Sequence, residues 1–596
     1  MAFLVSPGVQ VKEVDLTNVV PAVATSIGAI AGAFEKGPVS EVTSISSEEE
    51  LVKVFGKPQT TSNQFETFFT AANFLQYSDS LKVVRAESGL LNATAGSTGL
   101  LIRNTDHYLE SFSNGEASVG EWAARDAGTL GNSLGVSICS SANNYSQDAV
   151  TTTSAEESSG QTTISVTDAS VFSVGDLVNF GETDGHEYEV TSVNDSGSSD
   201  TIVIKLKDNV NGEGLQSTIS SGTNIRRRWR FYDLFDAAPG TSDYATQNDR
   251  GTLDEIHIVV YDVTGLISGF SVDANGNRTN AVLETYANLS VNSNAKSPQG
   301  DSIFYPDVIY RQSQFVYQMD HNTGGTNWGT DIDGTAEGDI LLDGHSSTEG
   351  AGDKLLLDGT DGSGTDGGDN VDLEDGSSSY AVLSLPTRSE LSGGTDDYAV
   401  TAGEIKTAYD RFEDTESLDI NLVLGGRGGG AGDTQSSQDT HVTMLTNFVE
   451  KRRDCVAFVS PFRSATVAVN SHLTQTDNVI NAFDQCPSSS YVVFDSGYKY
   501  MYDKYNDVFR FVPLNGDIAG LCANTDQVAD SFFSPAGFNR GRIRGAIKLS
   551  YNPNGAERDR LYRARVNPVV NFAGQGVVLF GDKTALDKPS AFDRIN

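Results

Sequence analysis

The sequence predicts a multidomain α+β protein with an α/β core, in which helices flank a mixed sheet, and with inserted β-rich domains of barrel or sandwich type. Two observations support this prediction. Short apolar strands alternate with amphipathic helices near both ends of the chain, whereas residues 150–222 consist of short alternating runs separated by Gly and Asp turns. The length of 596 residues, roughly four times that of an average domain, leaves room for several such units.

Changes in composition along the chain define the predicted domains. Ser, Thr, Gly, Asp and Val dominate the β-rich block, and its polar flanks indicate an insertion. The predicted units are an extended N-terminal arm (1–22), a discontinuous core (23–95 and 403–596), a middle α/β domain (96–149 and 223–320), a small inserted β domain (150–222) and an Asp/Gly-rich insertion (321–402).

The first predicted element is the extended arm. Apolar side chains lie mostly two positions apart in residues 1–20, and Pro and Gly mark the ends of this stretch. A strand without a neighbour in sequence leaves an unpaired edge, which promotes aggregation unless a partner strand is intended. The arm is therefore a first indication of strand exchange between subunits.

The core begins with a strand, two helices and a second strand. The apolar run 24–38 predicts a strand and a turn, and residues 46–50 start a short helix with a Ser cap and acids in its first turn. Apolar residues at i, i+3, i+4 and i+7 predict an amphipathic helix over 63–77. Residues 81–85 then predict a strand.

Patterns in the middle of the chain are shorter. Residues 99–104 and 131–141 are strand-like, and 254–262 has the continuous apolar character of a buried strand. Residues 281–291 resemble a short helix, whereas 306–319 alternate like a strand.

The C-terminal third is the most regular part. Residues 419–424 predict a strand that enters a Gly-rich loop, and apolar positions within 442–449 predict a helix that ends near 451–453. Residues 455–459 and 491–494 predict further strands. This alternation of strand and helix is what indicates a mixed sheet covered by helices.

The chain is strongly acidic, with 41 Lys and Arg against 80 Asp and Glu and a net charge of −39. Such a surface repels phosphate backbones and anionic lipids, so we expect no nucleic-acid partner. The basic run Arg226–Arg230 is expected to pair with acidic surface within or between subunits. The sequence shows no secretion signal and no stretch of about 18 apolar residues, so we expect no direct membrane insertion.

The four cysteines predict no metal site and no disulfide framework. Cys139, Cys455, Cys486 and Cys522 form no CxxC pair, which favours reduced, buried thiols in a protein made in the cytoplasm.

One Gly-rich loop has the pattern of a nucleotide site. Gly426–Ala431 satisfies G-x-G-x-x-A between a strand and a helix. Helix caps, however, are predicted only near Ser436–Asp439, too far from the glycines, and Asp454 precedes the second strand instead of following it. We therefore favour a flexible connection over a nucleotide site.

The Asp/Gly-rich insertion raises the question of calcium. Residues 331–375 contain fourteen acids and a single base, Lys354, and three degenerate repeats ending in Asp-Gly. No segment fits an EF-hand loop, and Gly367–Asp372 matches the G-G-x-G-x-D pattern only in part. Short hairpins or a solvated acidic surface are favoured over a calcium site.

The sequence offers no convergent set of catalytic groups. Its seven His are scattered, without an HExxH pattern, and neither GxSxG nor a P-loop occurs. His257 lies within the buried-strand pattern and is expected to be a core residue. We therefore expect a structural protein that is not an enzyme and that uses no cofactor and no metal.

Motifs at both ends of the chain indicate a family. They are Ser6–Asp15, Pro38 with Val54–Gly56, residues 490–526 as the strongest match, Ser534–Gly541, Val566–Pro568 and residues 572–586. Together they resemble the tail-sheath proteins of contractile-tailed bacteriophages. The resemblance covers about residues 1–140, 225–320 and 405–596, and leaves out the β-rich block and the Asp/Gly-rich insertion.

The resemblance implies a structural subunit that polymerises as stacked hexameric rings around the tail tube and contracts to drive the tube through the host envelope. It implies a homo-oligomer with tail tube, baseplate and tail terminator proteins as partners, located in the virion tail and assembled in the host cytoplasm. For the arm, Val9, Val11 and Val14 are expected to fill pockets of a neighbouring subunit by strand addition.

The sequence departs from the family pattern at its end. Family members continue beyond a segment like Ser590–Asn596, so a further C-terminal portion is expected to be missing here. Three alternatives stay open: the sheath of a related contractile injection system, a calcium-dependent surface or glycan-binding protein, and a nucleotide-binding enzyme that uses the Gly-rich loop.

Overall fold

The computed structural model describes most of the chain from residue 26 onward. Longer stretches outside the description are 1–25, 113–118, 208–212, 249–251, 273–277, 320–341 and 344–378, and shorter ones are 61, 97, 183, 198, 270, 280, 293, 381, 384, 589, 591–592 and 596. The arm and most of the Asp/Gly-rich insertion therefore lie outside the described residues.

Eleven α-helices are found among the described residues. They are Glu48–Phe55 (α1), Gln64–Phe74 (α2), Thr105–Ser111 (α3), Ala142–Tyr145 (α4), Asp243–Gln247 (α5), Tyr305–Gln312 (α6), Ala402–Asp410 (α7), Gln435–Arg452 (α8), His472–Asp484 (α9), Asn515–Val528 (α10) and Gly555–Arg563 (α11).

The strands of the described residues are mostly short. They are Gly28–Gly32 (β1), Thr43–Ile45 (β2), Leu81–Arg85 (β3), Trp122–Ala124 (β4), Leu134–Cys139 (β5), Ser146–Thr152 (β6), Thr163–Ser165 (β7), Leu177–Asn179 (β8), Tyr188–Asn194 (β9), Thr201–Leu206 (β10), Asn224–Arg228 (β11), Glu255–Asp262 (β12), Ser271–Val272 (β13), Arg278–Thr279 (β14), Ala281–Ser290 (β15), Val316–Gln318 (β16), Leu342–Asp343 (β17), Ser379–Tyr380 (β18), Ser389–Glu390 (β19), Leu422–Leu424 (β20), Val456–Val459 (β21), Val492–Asp495 (β22), Tyr498–Asp503 (β23), Val508–Pro513 (β24), Lys548–Leu549 (β25), Val566–Asn567 (β26), Val569–Phe572 (β27) and Gly576–Leu579 (β28).

A seven-stranded sheet joins strands from both ends of the chain, in the order β2-β3-β1-β20-β21-β22-β26. Neighbouring strands are parallel except for β2, which runs antiparallel to β3. Parallel sheets are buried on both faces and need continuous apolar runs, and every residue of β1 is buried. The predicted mixed sheet flanked by helices is therefore confirmed.

Successive side chains of this sheet enter two different cores, because side chains of a strand alternate between its faces. In β21, Phe458 packs with side chains of α1, α2 and α10, whereas Ala457 and Val459 pack with side chains of α7, α8, α9 and α11. The result is a three-layer α/β arrangement.

The part of the chain between the two halves of this core forms two larger antiparallel sheets. A six-stranded sheet has the order β6-β11-β8-β9-β10-β7 and its own apolar core, to which Ile202, Ile204 and Leu206 contribute alternate buried side chains. A four-stranded sheet has the order β15-β12-β5-β19. The β-rich character of residues 150–222 is confirmed, whereas the division of the chain into domains stays a prediction.

Several predicted elements are confirmed. Helix α1 is capped by Ser47, whose side chain accepts a hydrogen bond from the Glu50 amide, and acids occupy its first turn. Helix α2 lies within the predicted 63–77, and β3, β5, β12, β20 and β21 lie at or within their predicted ranges. β22 overlaps its predicted range and ends one residue later, at Asp495. Helix α8 ends at Arg452, and Arg453 adopts the left-handed conformation (φ 63°) that terminates it.

Two predictions for the middle of the chain are wrong, and a third is wrong for part of its range. Residues 99–104 form no strand and contribute an isolated bridge from Leu100 to Asn92. Residues 281–290 form strand β15 rather than a helix, because pairing with the buried β12 outweighs the helix propensity of Ala, Leu and Glu. Of the predicted strand 306–319, the last part is confirmed by β16, whereas residues 305–312 form α6, with Pro306 in the first turn, where proline is tolerated.

Candidate subunit-contact surface

Exposed large apolar side chains are concentrated near the C-terminal end of the described chain. Of sixteen such side chains among the described residues, nine lie between residues 502 and 580. Large exposed apolar patches are rare on monomeric proteins and mark interaction surfaces. The nine are Tyr502, Val508, Phe509, Val528, Phe532, Phe533, Phe538, Ile547 and Phe580.

Three phenylalanines beside the β27–β28 hairpin form one aromatic cluster. The ring centroids of Phe538, Phe572 and Phe580 lie 5.1 to 5.9 Å apart. Phe538 is 50% exposed and Phe580 is 43% exposed. The guanidinium of Arg558, from α11, lies 5.4 and 5.5 Å from the centroids of Phe572 and Phe580. Half-exposed aromatic rings beside an arginine are the composition of interface hot spots.

A second aromatic pair precedes this cluster in sequence. The rings of Phe532 and Phe533 lie 4.6 Å apart, and Phe532 is 71% exposed. Arg540 lies 5.1 Å from the Phe533 ring, and its Nε donates to the Ser534 carbonyl at 2.8 Å, which fixes its position. We use the term aromatic–basic face for Phe532, Phe533, Phe538, Arg540, Arg558, Phe572 and Phe580.

The outer strand β24 adds a third set of rings. Tyr500 stacks on Phe509 at 5.6 Å, and Nζ of Lys548 lies 4.6 Å from the centre of the Tyr500 ring. β24 pairs with β23, and among the described strands no other pairs with it. Phe509 and Val508 are exposed at its start, so this edge is apolar.

The same part of the chain is basic, in contrast to the chain as a whole. Residues 538–565 contain eight Lys and Arg against Glu557 and Asp559, a net charge of +6 in a chain of net charge −39. The eight basic residues are Arg540, Arg542, Arg544, Lys548, Arg558, Arg560, Arg563 and Arg565. Opposite charges on two surfaces steer and align their association, so this surface fits an acidic partner.

A buried polar network holds the loop of residues 540–548, which we call the basic loop, against the core. Lys499 of β23 and Asp517 of α10 are both fully buried, and Lys499 Nζ lies 2.9 Å from Asp517 Oδ1. Lys499 also donates to the Arg544 carbonyl at 3.0 Å, and the Arg544 amide donates to the Tyr77 hydroxyl at 2.7 Å. Burial raises the pKa of Asp517, whereas Lys499 opposes this change. The network thus connects the turn that follows α2, helix α10, strand β23 and the loop that precedes β25.

A second buried group connects α2 to strand β24. Glu66 of α2 is fully buried, and its Oε1 lies 3.0 Å from Arg463 Nη1. Arg463 Nη1 also donates to the Phe511 carbonyl of β24 at 2.8 Å. Burial raises the pKa of Glu66 to about 7, although Arg463 and Arg427 favour its ionised form.

The residues predicted for inter-subunit strand exchange, Val9, Val11 and Val14, lie outside the described residues. Their role stays a prediction.

The basic run Arg226–Arg230 pairs with acids of the same chain, as predicted. Arg228 lies 2.5 Å from Glu187, and Arg230 lies 3.3 Å from Glu189. His257 is fully buried in β12, which confirms its prediction as a core residue.

The Gly-rich loop follows β20, as predicted. The prediction of distant helix caps is wrong, because Thr434 caps α8 and the helix begins at Gln435, closer to the glycines than predicted.

All four cysteines are buried and form no disulfide, as predicted, and burial raises the pKa of each thiol. In the described part of the chain, no three His, Cys, Asp or Glu side chains are grouped so that they could hold a metal ion. None of the described helices combines the length and the apolar character that a membrane crossing requires.

The sequence predictions did not include the aromatic–basic face. Two signals were present: the adjacent Phe532 and Phe533 in a polar context, and a local charge opposite to that of the chain. Neither signal shows which rings lie together, because Phe538, Phe572 and Phe580 are brought into contact by the fold of the hairpin.

Comparison with known proteins tests the family resemblance that the sequence motifs predict. Residues 399–585 match the family model of the phage tail sheath protein central domain, and residues 25–86 match that of the tail sheath protein Gp18 domain III N-terminal region. These two segments are therefore similar to domains of tail-sheath proteins, and the predicted resemblance to the tail-sheath proteins of contractile-tailed phages is confirmed.

Individual relatives cover the whole chain. The chain is similar to the tail sheath protein of Enterobacteria phage T4, with 29% identity over 100% of this chain and 84% of that protein. It is equally similar to the tail sheath protein of Vibrio phage KVP40, with the same identity and shares. A crystal structure of the sheath tail protein from Listeria innocua aligns with 96% of this chain and 73% of its own, with 10% identity and a TM-score of 0.41.

Proposed function

We propose that this chain is the structural subunit of a contractile phage tail sheath. It polymerises as stacked hexameric rings around the tail tube and contracts to drive the tube through the host envelope. The observation that supports this function most is the similarity to tail sheath proteins over the full length of the chain. The aromatic–basic face supplies a surface of the kind that such a polymer requires.

The proposed assembly uses a head-to-tail contact between identical subunits. Such a contact joins two different surfaces and generates a helix when it does not close into a ring. A basic surface on an acidic chain is suited to this, because it attracts acidic surface of a second copy. The partners are further copies of the chain, the tail tube, the baseplate and the tail terminator.

The proposed arm adds a strand to the sheet of a neighbouring subunit. Main-chain hydrogen bonds of the added strand give affinity, and Val9, Val11 and Val14 fill pockets with alternate side chains. Such a connection holds subunits together while their bodies rotate. Contraction is then a one-way transition between two packings, driven by the lower free energy of the contracted one.

The arrangement proposed for the virion follows from the predicted domains. The core (23–95 and 403–596) lines the tail tube, and the β domain (150–222) and the Asp/Gly-rich insertion (321–402) project outward. Subunits assemble in the host cytoplasm and act in the virion tail. The subunit itself has no enzymatic role in this proposal.

Negative-stain electron microscopy of the purified chain over a range of salt tests the proposal. Salt is needed because subunits of net charge −39 repel each other when unscreened. We expect hollow tubes or stacking rings for the wild type and for Val11→Thr, which keeps the branched side chain and the amide hydrogen. Val11→Pro removes that hydrogen and should block assembly. Normal tubes from Val11→Pro would contradict strand exchange, and an absence of polymers at every salt concentration would contradict self-assembly of this chain.

A further inference from the structure

A recess lies at the carboxyl ends of β1 and β20, where the strand order of the central sheet changes direction. The next parallel strand after β1 in this sheet, β3, lies on one side of the β1–β20 pair. The strands that follow β20, namely β21 and β22, lie on the other side. In open α/β sheets, ligands bind in the crevice outside the carboxyl ends of the strands at such a position. Here the crevice is lined by Gly32 and Ala33 at the end of β1 and by Gly425, Arg427 and Gly430 after β20.

The N-terminus of α2 opens into the same recess. Asn63 and Gln64 line the recess, and Asn63, the residue at the cap position, makes no side-chain capping bond to the helix. A helix N-terminus carries a partial positive charge and favours anions. The eleven residues of α2 are long enough for this effect.

A buried donor in the recess lacks a partner. Gln64 is 3% exposed, and its Oε1 accepts a hydrogen bond from the Gln59 amide at 2.9 Å. Its Nε2 has no hydrogen-bond partner among the described residues. An unpaired buried donor costs about 1–3 kcal/mol in proteins, so a ligand that accepts from it is favoured.

Arg427 supplies the positive charge. Its Nη1 reaches the Ala431 carbonyl at 3.5 Å, and its Nε lies 4.0 Å from Glu66 Oε2. Glu66 is paired more closely with Arg463, at 3.0 Å, so the charge of Arg427 is not fully compensated within the recess. Guanidinium groups recognise oxyanions with paired N–H donors.

His441 also lines the recess and is neutral. Its Nε2 donates to the Gly425 carbonyl at 2.8 Å, and burial lowers its pKa to about 4. Gly430, at φ 61°, lies against this ring, and a Cβ at that position would come within 2.5 Å of Nδ1. The glycine is therefore required for the close approach of the loop to the histidine.

The size of the recess restricts the ligand. The volume open to the centre of a water molecule is about 30 Å³. This is roughly twice the space that a single water requires, and it is too small for a nucleotide. We propose that the recess binds a small oxyanion such as inorganic phosphate, held by the guanidinium of Arg427 and the amide of Gln64 at the N-terminus of α2.

Titration of the full-length chain with sodium phosphate tests this site, with sodium chloride at equal ionic strength as the reference. We expect a saturable heat in calorimetry and a rise in Tm that chloride does not produce. Gln64→Glu keeps the acceptor for Gln59 but places a negative charge in the recess, and Arg427→Gln removes the cation. Each variant should weaken phosphate binding at least tenfold, whereas Lys451→Gln, an exposed lysine on α8, should not.

Wild-type protein that shows no phosphate-specific heat and no phosphate-specific rise in Tm would overturn the proposal. Unchanged affinity in the two recess variants would overturn it as well, since phosphate would then bind elsewhere. Binding of AMP more tightly than phosphate would contradict the assigned ligand class. Because sheath assembly is observed separately by microscopy, failure of this site and failure of the proposed function are distinguishable.

Discussion

Lys499 and Asp517 form an ion pair in which both side chains are completely removed from solvent, with 2.9 Å between Nζ and Oδ1. A buried charge is tolerated when it is paired and hydrogen-bonded, and here Lys499 also donates to the Arg544 carbonyl. The pair lies beneath the basic loop of residues 540–548. The position of that loop, and of the surface it carries, therefore depends on this interaction.

Breaking the pair should strongly destabilise the protein. Lys499→Met leaves Asp517 buried without its cationic partner, with only the Tyr77 hydroxyl at 3.3 Å still donating to it, and we expect a loss of about 3–5 kcal/mol in the free energy of unfolding by urea at pH 7. The matched control is Lys504→Met, because Lys504 is an exposed lysine paired with Glu48 at 3.3 Å. That change should cost less than about 1 kcal/mol. Similar losses in the two variants would show that the buried pair has no special role.

Stability should depend on pH through Glu66. Its pKa in the folded protein is about 7, above its ordinary value of 4.5, so the folded state binds more protons between these values. The contribution of Glu66 to stability is therefore fully present below about pH 4.5 and is lost as the pH rises through about 7, by an amount on the order of 3 kcal/mol.

The variant Glu66→Gln isolates this contribution. Asp495, whose pKa burial raises to about 8, changes stability in the same direction and remains in the variant. The difference in unfolding free energy between wild type and Glu66→Gln should therefore shift in favour of the variant between pH 5 and pH 8. A difference that stays constant over this range would refute the assignment.

The aromatic–basic face should be needed for assembly and not for folding. Phe538→Ser removes a half-exposed ring from the contact with Phe572 and Phe580, so we expect a small change in Tm and a loss of polymers in sedimentation and microscopy. Leu473→Ser is the control, because Leu473 is 59% exposed and lies on α9, outside this face. Polymers formed equally well by both variants would exclude the face as a subunit contact.

The Gly-rich loop should not tolerate a side chain at Gly430. In Gly430→Ala the new Cβ meets His441 Nδ1 at 2.5 Å, in addition to the strain of a positive φ, and we expect a cost of about 2–3 kcal/mol. Gly574→Ala has a similar φ of 78° but open space around its Cβ, and should cost about 1 kcal/mol. Thermal unfolding of both variants measures the difference, and equal shifts in Tm would disprove the role of the close contact.

Much of the central sheet was predictable because its strands are buried on both faces. Such strands must be apolar at nearly every position, which makes β1, β21 and β22 visible in the sequence. The helices between them carry apolar positions at helical spacing and capping residues at their ends. These signals depend only on residues that are close together in sequence, and so they can be recognised without the tertiary structure.

The errors occurred where local propensity and tertiary pairing disagree. Residues 281–290 contain good helix formers, yet they pair along β12 because that strand needs a partner on this side. Residues 306–312 alternate in polarity over a few positions, but Pro306 and the buried Val308 and Ile309 suit the first turns of α6. Short patterns such as these do not distinguish the two structures.

The sequence alone determined the alternation of strands and helices in the core, the β-rich block, the acidic balance and the resemblance to tail-sheath proteins. Tertiary structure decided which side chains meet: the ring of Phe538 with those of Phe572 and Phe580, the pair Lys499–Asp517, and the recess between Gln64 and Arg427. The physical reason is that secondary structure depends on neighbours in sequence, whereas these contacts join residues between 8 and 363 positions apart. Their geometry is set by the packing of the whole sheet and its helices.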